Sequence, residues 1–493
     1  MNEVHILYPE KIARINPDIY GHFSEHIGGV IYDGIWVGED SDIPNIHGFR
    51  KELVELFRAI HPPVLRWPGG CFAEAYDWRD GIGPREKRPT RVNWWYNRDK
   101  RTEPNEVGTH EFMEFCRLVG AKPYFAANAT TLNPLAIRDW IEYCNFPQGS
   151  TTLAKEREAN GDAEPFGIEY WGLGNENWGG GGNMIPEDYC GVYRKYAMVA
   201  SSVGEDCKFI ACGPDGNNLD WTRRFFDKWN DRTSNANRYA NKLEGYSIHY
   251  YCGTAGEATE FTEEQWYELL KKAAYMENVV VEQRALMDSY DPERKVGIVV
   301  DEWGCWHKDG SGPSKGYNLF EQQSTMRDAV VAAMTLNIFN NHCDKVMMAN
   351  VAQLVNNLHS LFLSQGDKLV ATPNYYVFDM MKEHQGADGL RTVVETGSTQ
   401  GVATVTASAS VKDGKTLVTL VNTSYSDAAE VSVKLYGNTC GAEVERTVLT
   451  GKPDAYNTFE QPDLLVPVTD QIDAQGDSIS LTLPAASVTC LRF

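Results

Sequence analysis

Eight short apolar runs, each ending in polar residues and followed by a helix-like stretch, constrain this chain more than any other feature. They are Ile19–Phe23, Val64–Trp67, Pro123–Ala127, Glu169–Leu173, Phe209–Cys212, Tyr246–His249, Gly297–Val300 and Val346–Ala349. Several are almost unbroken in apolar residues, as strands buried on both faces must be. Between them, Phe49, Leu53, Leu56, Phe57 and Ile60 repeat with a helical period. Thr262-Glu-Glu-Gln265 reads as a capping box opening a long helix, and Pro186 suits the first turn of another through Tyr193 and Met198. Strand and helix alternating eight times predict a (β/α)₈ barrel, placed at residues 16–384.

After residue 385 the period changes to two. Val402–Ala407, Thr416–Val421, Glu430–Leu435 and Ile479–Leu483 alternate apolar with polar, separated by turns of Gly, Asp and Asn. That pattern predicts an antiparallel β-sandwich over 385–493. Val4-His-Ile-Leu7 precedes the barrel and is expected to lend the sandwich a strand, so residues 1–15 are assigned to it.

Composition narrows the function. The net charge of −22 disfavours phosphate backbones, so nucleic acid is a poor partner, and so is a polyanionic sugar. A neutral ligand is allowed. The 11 cysteines are odd in number and lack CxxC spacing, which fits reduced thiols in a cytoplasmic protein better than a disulfide framework or a zinc site. The first 21 residues carry charges and a proline where a signal peptide needs an apolar run, and no stretch approaches the length of a membrane span.

In such barrels the reactive groups sit at the C-terminal ends of the strands. Those ends deliver Glu25 and His26, then Arg66 and Cys71, Asn128, Asn175-Glu176-Asn177, His249 with Tyr251, Asp301-Glu302-Trp303, and Gln353 with Asn356. So many converging polar groups suit a small polyhydroxylated ligand. Glu176 and Glu302 close strands four and seven. One strand-end Glu is a paired structural carboxylate as often as a reactive one. Two such residues suggest glycosidic bond cleavage, one protonated to assist the leaving oxygen and one ionised to attack. Glu25 can bind hydroxyls or neutralise Arg66, an Arg66–Glu74 ion pair is a further option, and His249 can be a core histidine or an orienter of a carboxylate. Trp94-Trp95-Tyr96 lies in the loop after strand two and suits sugar stacking or an oligomer contact equally. Gly179–Gly182 is a flexible loop and no phosphate cradle, for no Lys-Ser/Thr follows. No metal-ligand spacing stands out and no cofactor is expected.

Taken together, these motifs resemble the α-L-arabinofuranosidases of glycoside hydrolase family 51. The resemblance rests on Gly21-His-Phe-Ser-Glu-His26, Leu65-Arg-Trp-Pro-Gly-Gly70, Asp80-Gly-Ile-Gly-Pro84, Gly174-Asn-Glu-Asn177, Ile248-His-Tyr-Tyr251, Val300-Asp-Glu-Trp303 and Ala352-Gln-Leu-Val-Asn356, in the family's order across the chain. It implies Glu176 as acid/base and Glu302 as nucleophile. It also implies Glu25, Asn175, Tyr251 and Gln353 as holders of the arabinofuranose ring, Trp306 as its aromatic border and His249 as an orienter. A barrel plus C-terminal β-sandwich, arabinofuranosyl oligosaccharides as substrates and a homo-hexamer follow by the same analogy. Many members have Asn after Pro-Gly-Gly; here Cys71 stands there, a weaker donor and acceptor expected to line the same subsite. An endo-acting β-glucanase or xylanase on the same scaffold, and a non-catalytic sugar-binding protein, are the competing readings.

Overall fold

The computed structural model describes residues 2–96, 101–231, 242–253, 255–474 and 476–493. Eight strands close a barrel in chain order: Gly21–Phe23, Val64–Trp67, Lys122–Ala127, Tyr170–Leu173, Lys208–Ala211, Gly245–Gly253, Gly297–Trp306 and Val346–Ala352. The registers of the second to fifth strands are parallel, with Tyr124 beside Arg66 on one side and Tyr170 on the other. All eight apolar runs are strands. Pro17–Tyr20 forms a 3₁₀ turn that shortens the first, because a proline pre-sets the turn. The sixth and seventh run on to Gly253 and Trp306, through aromatic and apolar residues that favour extended backbone.

The helices follow their sequence signals. Lys51–Ala59 buries Leu53, Val54 and Phe57, each worth about 1.5–3 kcal/mol of apolar burial. Pro186 opens Pro186–Ser201. Thr262 and Gln265 exchange the two hydrogen bonds of a capping box at the start of Glu263–Ala274, at 3.3 and 2.9 Å. No helix among the described residues is long and apolar enough to cross a membrane.

The chain groups into two compact units. One comprises Gly21–Tyr250 and Val281–Glu302; the other comprises Met1–Tyr20, Tyr251–Val280 and Trp303–Phe493. The second contains a nine-stranded sheet. From one edge its order is Val468–Asp473, Glu443–Thr450, Ser487–Arg492, Lys415–Asn422, Val405–Lys412, Asp388–Glu395, Asn2–Arg14, Ala429–Tyr436 and Ser478–Leu483. Every pair is antiparallel except one: Asn2–Leu7 runs parallel to Val431–Tyr436. Alternation in the amino-terminal strand puts Val4 and Ile6 into the same apolar core as Leu420, Val433, Ile479 and Leu491.

Candidate active site

Beyond the fourth barrel strand the chain turns at Gly174 and enters the left-handed region at Glu176, whose φ is 42°. A residue with a side chain costs on the order of 1–3 kcal/mol there and persists only where its neighbours hold it. Glu74 is the holder. It lies in the 3₁₀ turn Cys71–Ala75, just past the second strand. Its Oε1 accepts from the Asn175 backbone N–H at 2.7 Å and from Asn177 Nδ2 at 3.2 Å, and its Oε2 accepts from Ala129 N–H at 2.8 Å. Burial raises Glu74 to about 7, against the pull of these donors.

Glu302 comes from the seventh strand, in the same unit. Its Oε1 accepts from Arg66 Nη1 at 2.8 Å, and Arg66 Nη2 donates to Asn175 Oδ1 at 2.6 Å. The guanidinium is wholly buried over the Phe23 ring. Its buried anions Asp301 and Glu302 hold it charged against the cost of burial. Backbone approaches closely here: a Cβ at Gly70 would lie 2.7 Å from Glu302 Oε1, so a side chain there would displace that carboxylate. Glu25 accepts from Phe72 N–H at 3.0 Å, and burial together with the nearby Glu302 charge raises it to about 7.

His249 Nδ1 faces both candidate carboxylates, 2.9 Å from Glu176 Oε1 and 3.5 Å from Glu302 Oε2. Ligand atoms of all three residues lie within 4.8 Å of one another. Burial opposes charge on the imidazole, yet Glu302 and Glu176 raise it above the ordinary histidine range. Burial likewise pushes Glu176 up, but the His249 hydrogen bond and charge, then Cys71, outweigh it and hold the carboxyl below its usual range. The contact thus favours an ionised Glu176 beside a charged His249.

Six expected residues meet in this unit: Glu25, Cys71, Asn175, Glu176, His249 and Glu302. Three belong to the other unit. Tyr251 lies two residues beyond His249 on the sixth strand, and its ring meets Trp306 edge-on at 5.0 Å. Trp306 ends the strand that carries Glu302 and packs on Phe320 at 4.9 Å. Gln353 is buried and follows the eighth strand directly.

Other strand-end residues are structural. Asn128 organises its loop, accepting from Thr130 and Thr131 N–H at 3.1 and 2.8 Å. His26 is buried between Glu103 at 2.8 Å and the Trp67 indole at 3.0 Å. Asn356 exchanges hydrogen bonds with Ser364 at 2.9 and 2.7 Å. Among the described residues no ion pair joins Arg66 to Glu74: the guanidinium is taken by Glu302 and Asn175, and Glu74 by amides. The loop after strand two divides, with Tyr96 buried against Glu103 while Trp94 is 69% exposed under the Arg101 guanidinium.

Comparison with known proteins agrees with this geometry. Residues 56–253 match the model of the "Alpha-L-arabinofuranosidase 1 domain", and residues 301–487 match the "Alpha-L-arabinofuranosidase C-terminal domain". An intracellular exo-α-L-arabinofuranosidase of Bacteroides ovatus is 37% identical over 97% of this chain and 93% of its own length. The crystal structure of the family 51 arabinofuranosidase from Xanthomonas axonopodis pv. citri superposes with a TM-score of 0.92 at 38% identity, covering 100% of this chain and 99% of the other. The Thermotoga maritima α-L-arabinofuranosidase, solved as an arabinose complex, gives 0.88 at 29% identity, with 100% of each chain covered. This chain therefore belongs to the α-L-arabinofuranosidases of glycoside hydrolase family 51.

Proposed function

We propose that the protein is a retaining, exo-acting α-L-arabinofuranosidase that releases terminal arabinofuranose from arabinan and arabinoxylan oligosaccharides, with Glu302 as nucleophile and Glu176 as acid/base. The observation that carries this reading is that one oxygen of Glu176 lies within 4.8 Å of one oxygen of Glu302. Retaining enzymes hold their carboxyls about 5–5.5 Å apart, while inverting enzymes leave about 6.5–9.5 Å for a water.

Glu302, ion-paired to Arg66, attacks the anomeric carbon. Its charge is consumed as the covalent bond forms, and the imidazole loses the anion that most strongly holds its proton. The proton shared along Nδ1···Oε1 is then released through Glu176 to the leaving oxygen. In the second half Glu176 takes a proton from water, which displaces Glu302 and frees arabinose with retained configuration. Glu25, Cys71, Asn175, Tyr251 and Gln353 bound the ring, with Trp306 at its rim. The reading extends to a catalytic barrel of residues 16–384, a sheet domain of 385–493 joined by 1–15, and a homo-hexamer by family analogy. It includes a cytoplasmic location, supported by the intracellular relative and by 11 cysteines that are all unpaired.

The test is trapping. With an activated aryl arabinofuranoside, Glu176→Ala should be glycosylated on Glu302 and then stall, so intact-mass spectrometry shows one added pentosyl group. Full activity of Glu176→Ala on a poor leaving group would end the assignment.

A further inference from the structure

Arg66 reaches Glu302 directly, and it reaches Glu176 through a second, longer branch. Its Nη2 donates to Asn175 Oδ1 at 2.6 Å, Asn175 Nδ2 lies 3.7 Å from Cys71 Sγ, and the Cys71 thiol donates to Glu176 Oε2 at 3.5 Å. Each group donates onward, so the buried positive charge polarises the whole chain toward Glu176. We propose that Cys71 is a positioning residue for the acid/base: its thiol, ending a relay from Arg66, clamps Glu176 Oε2 while His249 clamps Oε1, and so sets where and when Glu176 gives up its proton.

Three further observations support this role. The glycine loop after the acid/base motif leaves a seat for the sulfur, because a Cβ at Gly180 would stand 2.9 Å from Sγ. Cys71 opens the same 3₁₀ turn whose Glu74 holds Asn175 by its backbone N–H and Asn177 by its side-chain amide, so one short segment grips Glu176 and both of its chain neighbours. The thiol also stays a donor: burial, then the charges of Glu176, Glu25 and Glu302, push its ionisation far above the ordinary thiol range. A contact made only to the sugar ring needs neither the relay nor the seat.

The inference rests on Glu176 being the acid, and the experiment separates the two claims. The full-length enzyme and its Cys71→Ala, Cys71→Ser and Glu176→Ala variants are assayed on methyl and 2,4-dinitrophenyl arabinofuranosides across pH. A methoxide leaving group needs the proton and dinitrophenolate does not. Cys71→Ala should lose about tenfold in kcat/KM on the methyl glycoside and less than about threefold on the dinitrophenyl one. Its alkaline limb should move up by roughly half a pH unit, because a donor to the ionised form is gone, and Cys71→Ser should move it part of the way back. Equal losses on both substrates with an unmoved limb would leave Cys71 as a ring contact alone, with no hold on Glu176, and overturn the proposal. If Glu176→Ala itself shows no dependence on the leaving group, the acid assignment falls first. A circular dichroism melt confirms that each variant is folded before its rates are compared.

Discussion

Glu176, His249 and Glu302 set two carboxylates against one imidazole, whereas Asp328, His307 and His359 set one carboxylate between two. His307 Nε2 and His359 Nδ1 lie 3.0 and 3.6 Å from the same Asp328 oxygen, Oδ1. The other oxygen accepts from Thr325 N–H at 2.8 Å and caps the helix Met326–Asn341. All three side chains are at 0% exposure, while those of Glu176 and Glu302 are at 20% and 9%. Burial opposes the Asp328 charge, but the two histidines more than offset it and hold the carboxyl well below the usual range. One anion with two potential cations is settled. Two anions contending for one proton within reach of solvent are not, and only the second arrangement leaves a proton to be moved. The same residue types thus make a brace or a reaction centre according to their ratio and their access to water.

Substitutions can break that contrast. The largest effect expected is in Glu302→Gln, which should cost on the order of 10⁵-fold in kcat on any arabinofuranoside while its melting temperature stays close to that of the parent. Rates and melting curves on one preparation check this, and a parallel collapse of both would show that the reactive cluster is also a brace. Asp328→Asn should do the reverse. Leaving two buried imidazoles without their anion costs about 3–5 kcal/mol, read as a lower urea midpoint, while kcat per folded molecule holds. Because the folded pKa of Asp328 is depressed, its stabilisation is present above the unfolded value near 3.9 and is lost as pH falls through the folded one. The variant should therefore lose less stability than the parent between neutral and acid pH. The smallest effect is in His249→Asn. About tenfold should go from kcat on a poor leaving group. The alkaline limb should rise, since burial then acts on Glu176 without the imidazole that lowers it. A limb that falls would mean that His249 does not hold the ionised carboxylate.

The barrel was legible because buried parallel strands must be apolar along their length, and eight such runs cannot easily be read otherwise. That Glu176 and Glu302 would meet was legible from their places at two strand ends. The role of Glu74 was not legible: an ion pair with Arg66 was one option, and its hold on the Glu176 turn was not foreseen. Its signal is faint in sequence, because its partners are mostly backbone amides, which no side-chain pattern advertises. Its closeness to Pro68-Gly-Gly70 was the only available hint. The Asp328 brace was missed for a related reason: Asp328 reads as an ordinary capping residue after Thr325, and nothing in the spacing of His307 and His359 says that both fold onto it. The parallel pairing of Asn2–Leu7 also lay beyond pattern reading, since period-two alternation reports which face is buried and is silent on direction.

That amino-terminal strand has a kinetic corollary. Its sheet neighbours Asp388–Glu395 and Ala429–Tyr436 lie in the last quarter of the chain, so at about 5–20 residues per second Asn2–Arg14 waits roughly twenty seconds or more for either of them. During synthesis the nascent chain trails a strand whose core residues Val4 and Ile6 are uncovered and whose edges invite other chains. Yield in a host cell should accordingly rise with chaperone supply during synthesis.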